Sequence, residues 1–168
     1  MKKIFFWVLF LLFLPITAYS AQSMKIEVDF EKMSLTVSNE NGDILNKFLV
    51  ALPRVTPPFL PVRGKIKEVI LESIWYPSEK TRAYYKHSKG QVLPEAVPFG
   101  HPLNAMGVGK IIIDFESKKI NPLIRIHGTN DPGSIGERIT RGCIRMKNED
   151  FLKLVSLIKD KDTIVIFK

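Results

Sequence analysis

Apolar residues in this chain recur at every second position in short runs, and turn residues close each run within a few positions. Lys25 to Phe30 places Ile26, Val28 and Phe30 on one face, and Ser34 to Val37 carries Leu35 and Val37. Asn41-Gly42 is a hairpin signal ahead of Ile44 to Ala51, because both residues tolerate the positive φ that tight hairpin turns demand. Lys65 to Trp75 alternates through Ile66, Glu68, Ile70 and Glu72; Lys110 to Phe115 and Leu123 to Ile126 are β-rich, and Thr163 to Phe167 closes the chain. A period of two buries one face of a strand and does not suit a helix. A helical signature stands after Met146: Asn148 is a candidate cap, Glu149 and Asp150 suit the positive end, and apolar residues recur at Phe151, Leu152, Val155 and Ile158. The predicted fold is mainly β, a sandwich or partly closed barrel, with one packed helix after Cys143.

Proline-rich loops separate these elements. Pro53 to Pro61 contains four prolines. Pro77 to Pro98 is long and weakly patterned, with Tyr84, Tyr85 and His87. Long loops in a compact domain tend to be functional, so the second is read as a flap or rim over a groove. The chain has no internal repeats and no low-complexity segments.

The first twenty residues have the layout of a secretory signal. Lys2 and Lys3 precede an unbroken apolar run from Ile4 to Leu14, and Ala18-Tyr19-Ser20 offers small residues at the two positions read by signal peptidase, with Ala21 as the new N-terminus. The run is short for a membrane span; an uncleaved anchor is the competing reading, and no cysteine follows the run to carry a lipid. The expected division is a signal peptide at 1–20 and one domain at 21–168, long enough for its own core. Without Lys2 and Lys3 the net charge falls from +8 to +6, from 23 basic and 17 acidic residues. A basic exported protein suits an anionic partner such as a wall polymer or membrane surface. The charges are scattered without a basic run or nucleic-acid motif, and export also argues against nucleic acid.

The chemistry concentrates between His127 and Met146. This segment holds the chain's single cysteine, Cys143, sixteen positions after one of only three histidines. An exported chain with one cysteine cannot close an internal disulfide, so the thiol is either reactive or a small buried hydrophobe. Its neighbours Thr140, Arg141, Gly142 and Arg145 are small or polar and make poor core. The thiolate is the nucleophile, and an imidazole can generate it. Gly142 permits a tight turn that can aim backbone N–H groups at a developing oxyanion. The segment therefore reads as a candidate thiol acyl-transfer site.

Ile126-His127-Gly128-Thr129-Asn130, then Ile135-Gly136, then Thr140-Arg141-Gly142-Cys143-Ile144-Arg145-Met146 closely resembles the signature of the L,D-transpeptidase catalytic domain. Weaker similarity extends to Ile26-Glu27-Val28-Asp29, to Ile74-Trp75-Tyr76-Pro77, to His101-Pro102-Leu103-Asn104 and to Asn148 and Asp150. Two departures stand out. Arg141 occupies the position where the family most often has a groove-lining histidine. The family's Thr-Pro-x-Gly element is represented by Thr56-Pro57, with glycine only at Gly64.

The resemblance implies a mechanism. The cysteine attacks a peptidoglycan tetrapeptide stem, D-alanine leaves, and the side-chain amine of another stem resolves the thioester as a 3–3 cross-link. Attack by water gives L,D-carboxypeptidase activity, and some relatives attach a protein lysine to the wall. Carried over, Cys143 is the nucleophile, His127 the base, the Gly128 carbonyl the group that fixes the imidazole tautomer, and the Gly142 and Cys143 N–H groups the oxyanion donors. Arg145 either binds a stem carboxylate or forms a structural ion pair, for example with an acid at the helix start. Arg141 is a second candidate for a substrate carboxylate. Thr129 and Asn130 are expected to brace the loop. The family needs no metal or cofactor; the expected partners are peptidoglycan stem peptides, the expected location is periplasm or cell wall, and a monomer is expected.

Other classes remain. An unrelated thiol hydrolase leaves the extended motif unexplained. A zinc site from His87, His101, His127 and Cys143 lacks short ligand spacing. A non-catalytic wall-binding module is the alternative from a different class, and it predicts that Cys143→Ala leaves function intact.

Overall fold

The computed structural model describes residues 23–168. The signal-peptide reading of 1–20 lies outside these residues. Ten strands and two α-helices follow the order β1 (Met24–Asp29), β2 (Ser34–Asn39), β3 (Ile44–Leu49), β4 (Leu52–Pro53), β5 (Val62–Leu71), α1 (Glu79–Lys89), β6 (Gly109–Phe115), β7 (Arg125–His127), β8 (Arg138–Thr140), β9 (Ile144–Arg145), α2 (Asn148–Ile158) and β10 (Thr163–Phe167). Eight strands form one curled, half-closed sheet in the order β3-β2-β1-β10-β5-β6-β7-β9, and β4 pairs with β8 in a small second sheet. This is the mainly β, partly closed architecture expected from the alternation.

The alternation also sets the inside. Met24, Ile26 and Val28 of β1 and Val165 and Phe167 of β10 are buried, and these two strands run parallel at the centre of the sheet. Phe167 sits 5.8 Å from Phe30 and 5.4 Å from Phe115, ring centre to ring centre, within the range of favourable tilted aromatic contacts. The Asn41-Gly42 turn forms as its residues predict. Asn39 Oδ1 accepts from the N–H groups of Asn41 and Asp43, and Gly42 adopts φ +86°.

Three expectations need correction. The segment from Pro77 to Pro98 is not a loop throughout, because it contains α1. Ser78 caps that helix by accepting from Thr81 N–H, and Gly90 ends it at φ +61°. No residue of α1 is buried, so the helix has no core stripe for periodicity to reveal. In α2, Leu154 is buried with Phe151 and Ile158, while Leu152 is 45% exposed; a shift of two residues along a helix moves a side chain to the far face. The cap position of α2 is taken by Lys147, which makes no side-chain capping bond, and Asn148 is instead the first helical residue.

Candidate active site

β7 and β9 run parallel with Ile126 beside Ile144 and His127 beside Arg145. Ile126 and Ile144 point into the core and are fully buried. Strand alternation therefore turns Arg125, His127 and Arg145 to the other face. Cys143 stands one residue before β9. A groove of about 410 Å³ opens there, lined by Cys143, His127, Gly142, Arg145, Arg141 and Thr140 together with Arg54, Trp75, Asp131 and the α1 residues Thr81, Tyr84, Tyr85 and Lys89.

His127 is buried, and its Nδ1 lies 2.6 Å from the Gly128 carbonyl oxygen. A carbonyl only accepts, so Nδ1 carries the hydrogen and Nε2 keeps its lone pair. Burial, then the Arg145 guanidinium, lowers the imidazole pKa from 6.5 to about 4, against the backbone carbonyls of Gly128 and Ala105. The ring is thus neutral at pH 7. Burial raises the Cys143 thiol above its ordinary value, opposed by the backbone N–H of Arg125 and by the Arg125 and Arg145 charges. The thiol directs its weak donor to the Leu123 carbonyl at 3.8 Å. At rest the pair is therefore a neutral thiol and a neutral imidazole.

Local bonding explains how the cysteine is presented. Gly142 has φ +155°, a conformation that side chains rarely adopt. Thr140 Oγ1 donates to the Cys143 carbonyl at 2.6 Å and accepts a longer bond of 3.4 Å from Gly142 N–H. The far end of the site is tied by Asn148, whose Oδ1 accepts from Thr129 N–H at 2.9 Å and from Val108 N–H at 3.2 Å. A Cβ on Gly128 would overlap that same oxygen. Sequence reasoning placed Asn148 at a helix start but missed this tether; only the fold brings residues 108, 129 and 148 together.

Arg145 forms an ion pair with Asp131 at 3.5 Å and donates to Ser134 Oγ at 2.9 Å; its Nε is buried without a hydrogen-bond partner among the described residues. The structural ion pair is therefore present, but with the loop acid Asp131 and not with an acid of α2. Arg141 is turned to α1. Its Nη1 donates to Thr81 Oγ1 at 3.2 Å, and the guanidinium lies 4.8 Å from the centre of the Tyr84 ring. Asn130 donates to the Pro102 carbonyl, and Thr129 Oγ1 accepts from Asp131 N–H, so both brace the loop as expected. His101 lines a separate pocket with Asn148 and Thr129, and His87 lies on α1, so neither shares the groove with His127. Among the groove residues that sequence reading missed are Arg54, Thr81, Lys89 and Asp131, with Tyr84 and Tyr85 recognised only as part of a rim. The Ser78 cap and the Gly90 stop were the signals that could have located α1.

No helix among the described residues is long and apolar enough to cross a membrane. The family model for the L,D-transpeptidase catalytic domain matches residues 23–166. A probable L,D-transpeptidase, ErfK/SrfK of Salmonella typhimurium, is 42% identical over 77 residues, covering 46% of this chain and 22% of the relative. A probable L,D-transpeptidase of Escherichia coli, YbiS, is 41% identical over 76 residues, covering 45% and 22%. The matched segment thus spans about a fifth of the length of these curated relatives. Among solved structures, an L,D-transpeptidase from Mycobacterium smegmatis superposes with a TM-score of 0.58 at 14% identity, over 88% of this chain and 59% of the other. L,D-transpeptidase 3 from Mycobacterium tuberculosis gives 0.58 at 15% identity, over 88% and 61%. At such identity these two speak for the fold, while the family model spans nearly all the described residues: the chain belongs to the L,D-transpeptidase catalytic-domain family.

Proposed function

We propose that this protein is a cysteine acyltransferase of the cell wall that joins peptidoglycan stems through 3–3 cross-links. The observation that carries the reading is the His127 Nδ1 contact with the Gly128 carbonyl in the groove that also holds Cys143. It frees Nε2 to act as a base in the groove that the chain's single thiol also lines. In this reading residues 1–20 direct export to the periplasm or wall and 21–168 form the catalytic domain.

The reaction begins when the thiol leaves the Leu123 carbonyl and gives its proton to His127 Nε2. The sulfur attacks the carbonyl carbon that precedes the terminal D-alanine of a tetrapeptide stem. Negative charge on the carbonyl oxygen is met by the N–H groups of Gly142 and Cys143. Collapse breaks the C–N bond, His127 returns the proton to the departing amine, and D-alanine leaves a thioester on Cys143. The side-chain amine of a second stem then attacks, loses its proton to His127 and releases the thiol. The neutral resting pair favours this proton transfer on substrate binding over a preformed thiolate. Arg145 lines the groove, and its guanidinium supports recognition of a stem carboxylate.

Incubation of the protein with purified disaccharide-tetrapeptide, followed by mass spectrometry, tests the reading. A 3–3 linked dimer is expected with the intact protein and not with Cys143→Ala. Tripeptide and free D-alanine alone would make it an L,D-carboxypeptidase. Binding without any product, unaltered by Cys143→Ala, would reveal a wall-binding module.

A further inference from the structure

The groove wall concentrates positive charge. Arg54, Lys89, Arg141 and Arg145 line it against one acid, Asp131, a surplus of three. Residues 21–168 hold 23 basic and 17 acidic side chains, so one groove carries half of that segment's net charge. Such concentration is unlike a generally basic surface, and a concave wall of one sign raises the local concentration of oppositely charged ligands.

The four cations differ in what they already hold. Arg145 is paired with Asp131, and Arg141 is stacked on Tyr84. The guanidinium of Arg54 and the ammonium of Lys89 make no side-chain hydrogen bond or ion pair among the described residues, and both are exposed, so neither is committed to the protein. Their backbones are nevertheless fixed. Arg54 N–H donates to the Thr140 carbonyl at 3.1 Å, three residues from Cys143, and Lys89 ends the capped helix α1. Two solvent-exposed cations without protein partners, on ordered backbone at a groove with no surplus acid, fit a ligand that brings its own carboxylates.

We infer that Arg54 and Lys89 read free carboxylates on the donor peptide, so that the enzyme discriminates against a stem whose side carboxylates are capped as amides. The inference rests on the proposed acyl transfer to peptide stems and adds to it the charge state of the accepted stem. Arg54 offers a planar fork that matches a carboxylate, and Lys89 a point charge on a flexible stem. Their exposure makes the selection sensitive to salt, since charges are screened beyond about 8 Å at physiological ionic strength.

The test compares two disaccharide-tetrapeptides that differ only in amidation of the side carboxylates. Turnover is followed with the intact protein and with Arg54→Gln/Lys89→Gln, and binding is followed calorimetrically on Cys143→Ala. The intact protein is expected to favour the free-carboxylate peptide roughly tenfold in kcat/KM at low salt, with a ratio that shrinks as salt rises. The double variant is expected to bring the ratio close to one, and Arg54→Lys, which keeps the charge, to retain most of it. Equal kcat/KM and equal Kd for the two peptides would overturn the inference, as would an undiminished ratio in a folded double variant. Selective binding by Cys143→Ala, without turnover of either peptide by the intact protein, would instead sustain the inference and remove the proposed acyl transfer.

Discussion

Burial acts on His127 and Cys143 in opposite directions on the pKa scale but towards one end, because it disfavours the charged form of each. The imidazole is held to about 4 and the thiol is raised. Near neutrality the thiol is consequently protected from small electrophiles until a ligand displaces it from Leu123. Alkylation by iodoacetamide, followed by intact mass, is expected to be slow at pH 7 and to accelerate above the ordinary thiol pKa of about 8.5. Rapid labelling at pH 6 would mean a standing thiolate and would contradict the neutral pair. Gly142 and Thr140 complete this scale: one allows the turn and the other ties it, so Cys143 is presented at a fixed place on the groove face.

Two contacts join whole elements at the site, and they differ in burial. Arg141 attaches α1 to the cysteine loop through Thr81 and Tyr84 on an exposed face, and a cation–π contact of this kind contributes about 0.5–1 kcal/mol. Asn148 attaches the start of α2 to the loop after His127 and to Val108. Removing its oxygen strands two backbone donors, at a cost of about 1–3 kcal/mol each where they are desolvated. Arg141→Ala is therefore expected to raise hydrogen exchange within residues 79–89 while leaving global stability within about 1 kcal/mol. Asn148→Ala is expected to lower global stability by more than that, as read by urea unfolding. The reverse ranking would show that α1 is held by other contacts and that Asn148 is dispensable.

At the scale of the whole molecule, the buried imidazole makes stability depend on pH. Its folded pKa of about 4 lies below its ordinary value of 6.5, so the unfolded chain binds more protons between those values and stability rises with pH across that window. The contribution is complete above pH 6.5 and is lost as pH falls through 4, amounting to about 3 kcal/mol. Denaturant unfolding between pH 7 and pH 4 should show this loss, and His127→Asn should remove it from the slope. An unchanged slope in that variant would contradict a buried neutral imidazole, because carboxylates such as Glu27 and Asp29, whose folded pKa values are lowered from 4.5 and 3.8, add their losses mainly below those values. The sheet that buries His127 is the same one that turns Ile126 and Ile144 to the core, so the site's proton chemistry is a by-product of strand alternation.

By itself the sequence determined the strand-rich class, the Asn41-Gly42 hairpin and the helix after Met146, and it singled out His127 and Cys143 as candidates, because these depend on neighbours a few residues apart: a period of two, a turn dipeptide, a glycine before a cysteine. It counted Leu152 in the apolar stripe of α2 and passed over Leu154, since which side of the helix meets the sheet is fixed by packing. It passed over α1 because an unburied helix has no apolar stripe, and only its cap and stop mark it. The tertiary structure alone decided that Arg141 holds Tyr84, that Arg145 pairs with Asp131, that Asn148 tethers the histidine loop and that Arg54 and Lys89 share a wall with Cys143. The physical reason is common to all four: these partners stand far apart in the chain or on separate elements, and it is the curl of the sheet and the docking of α1 that bring their charges and hydrogen bonds within reach.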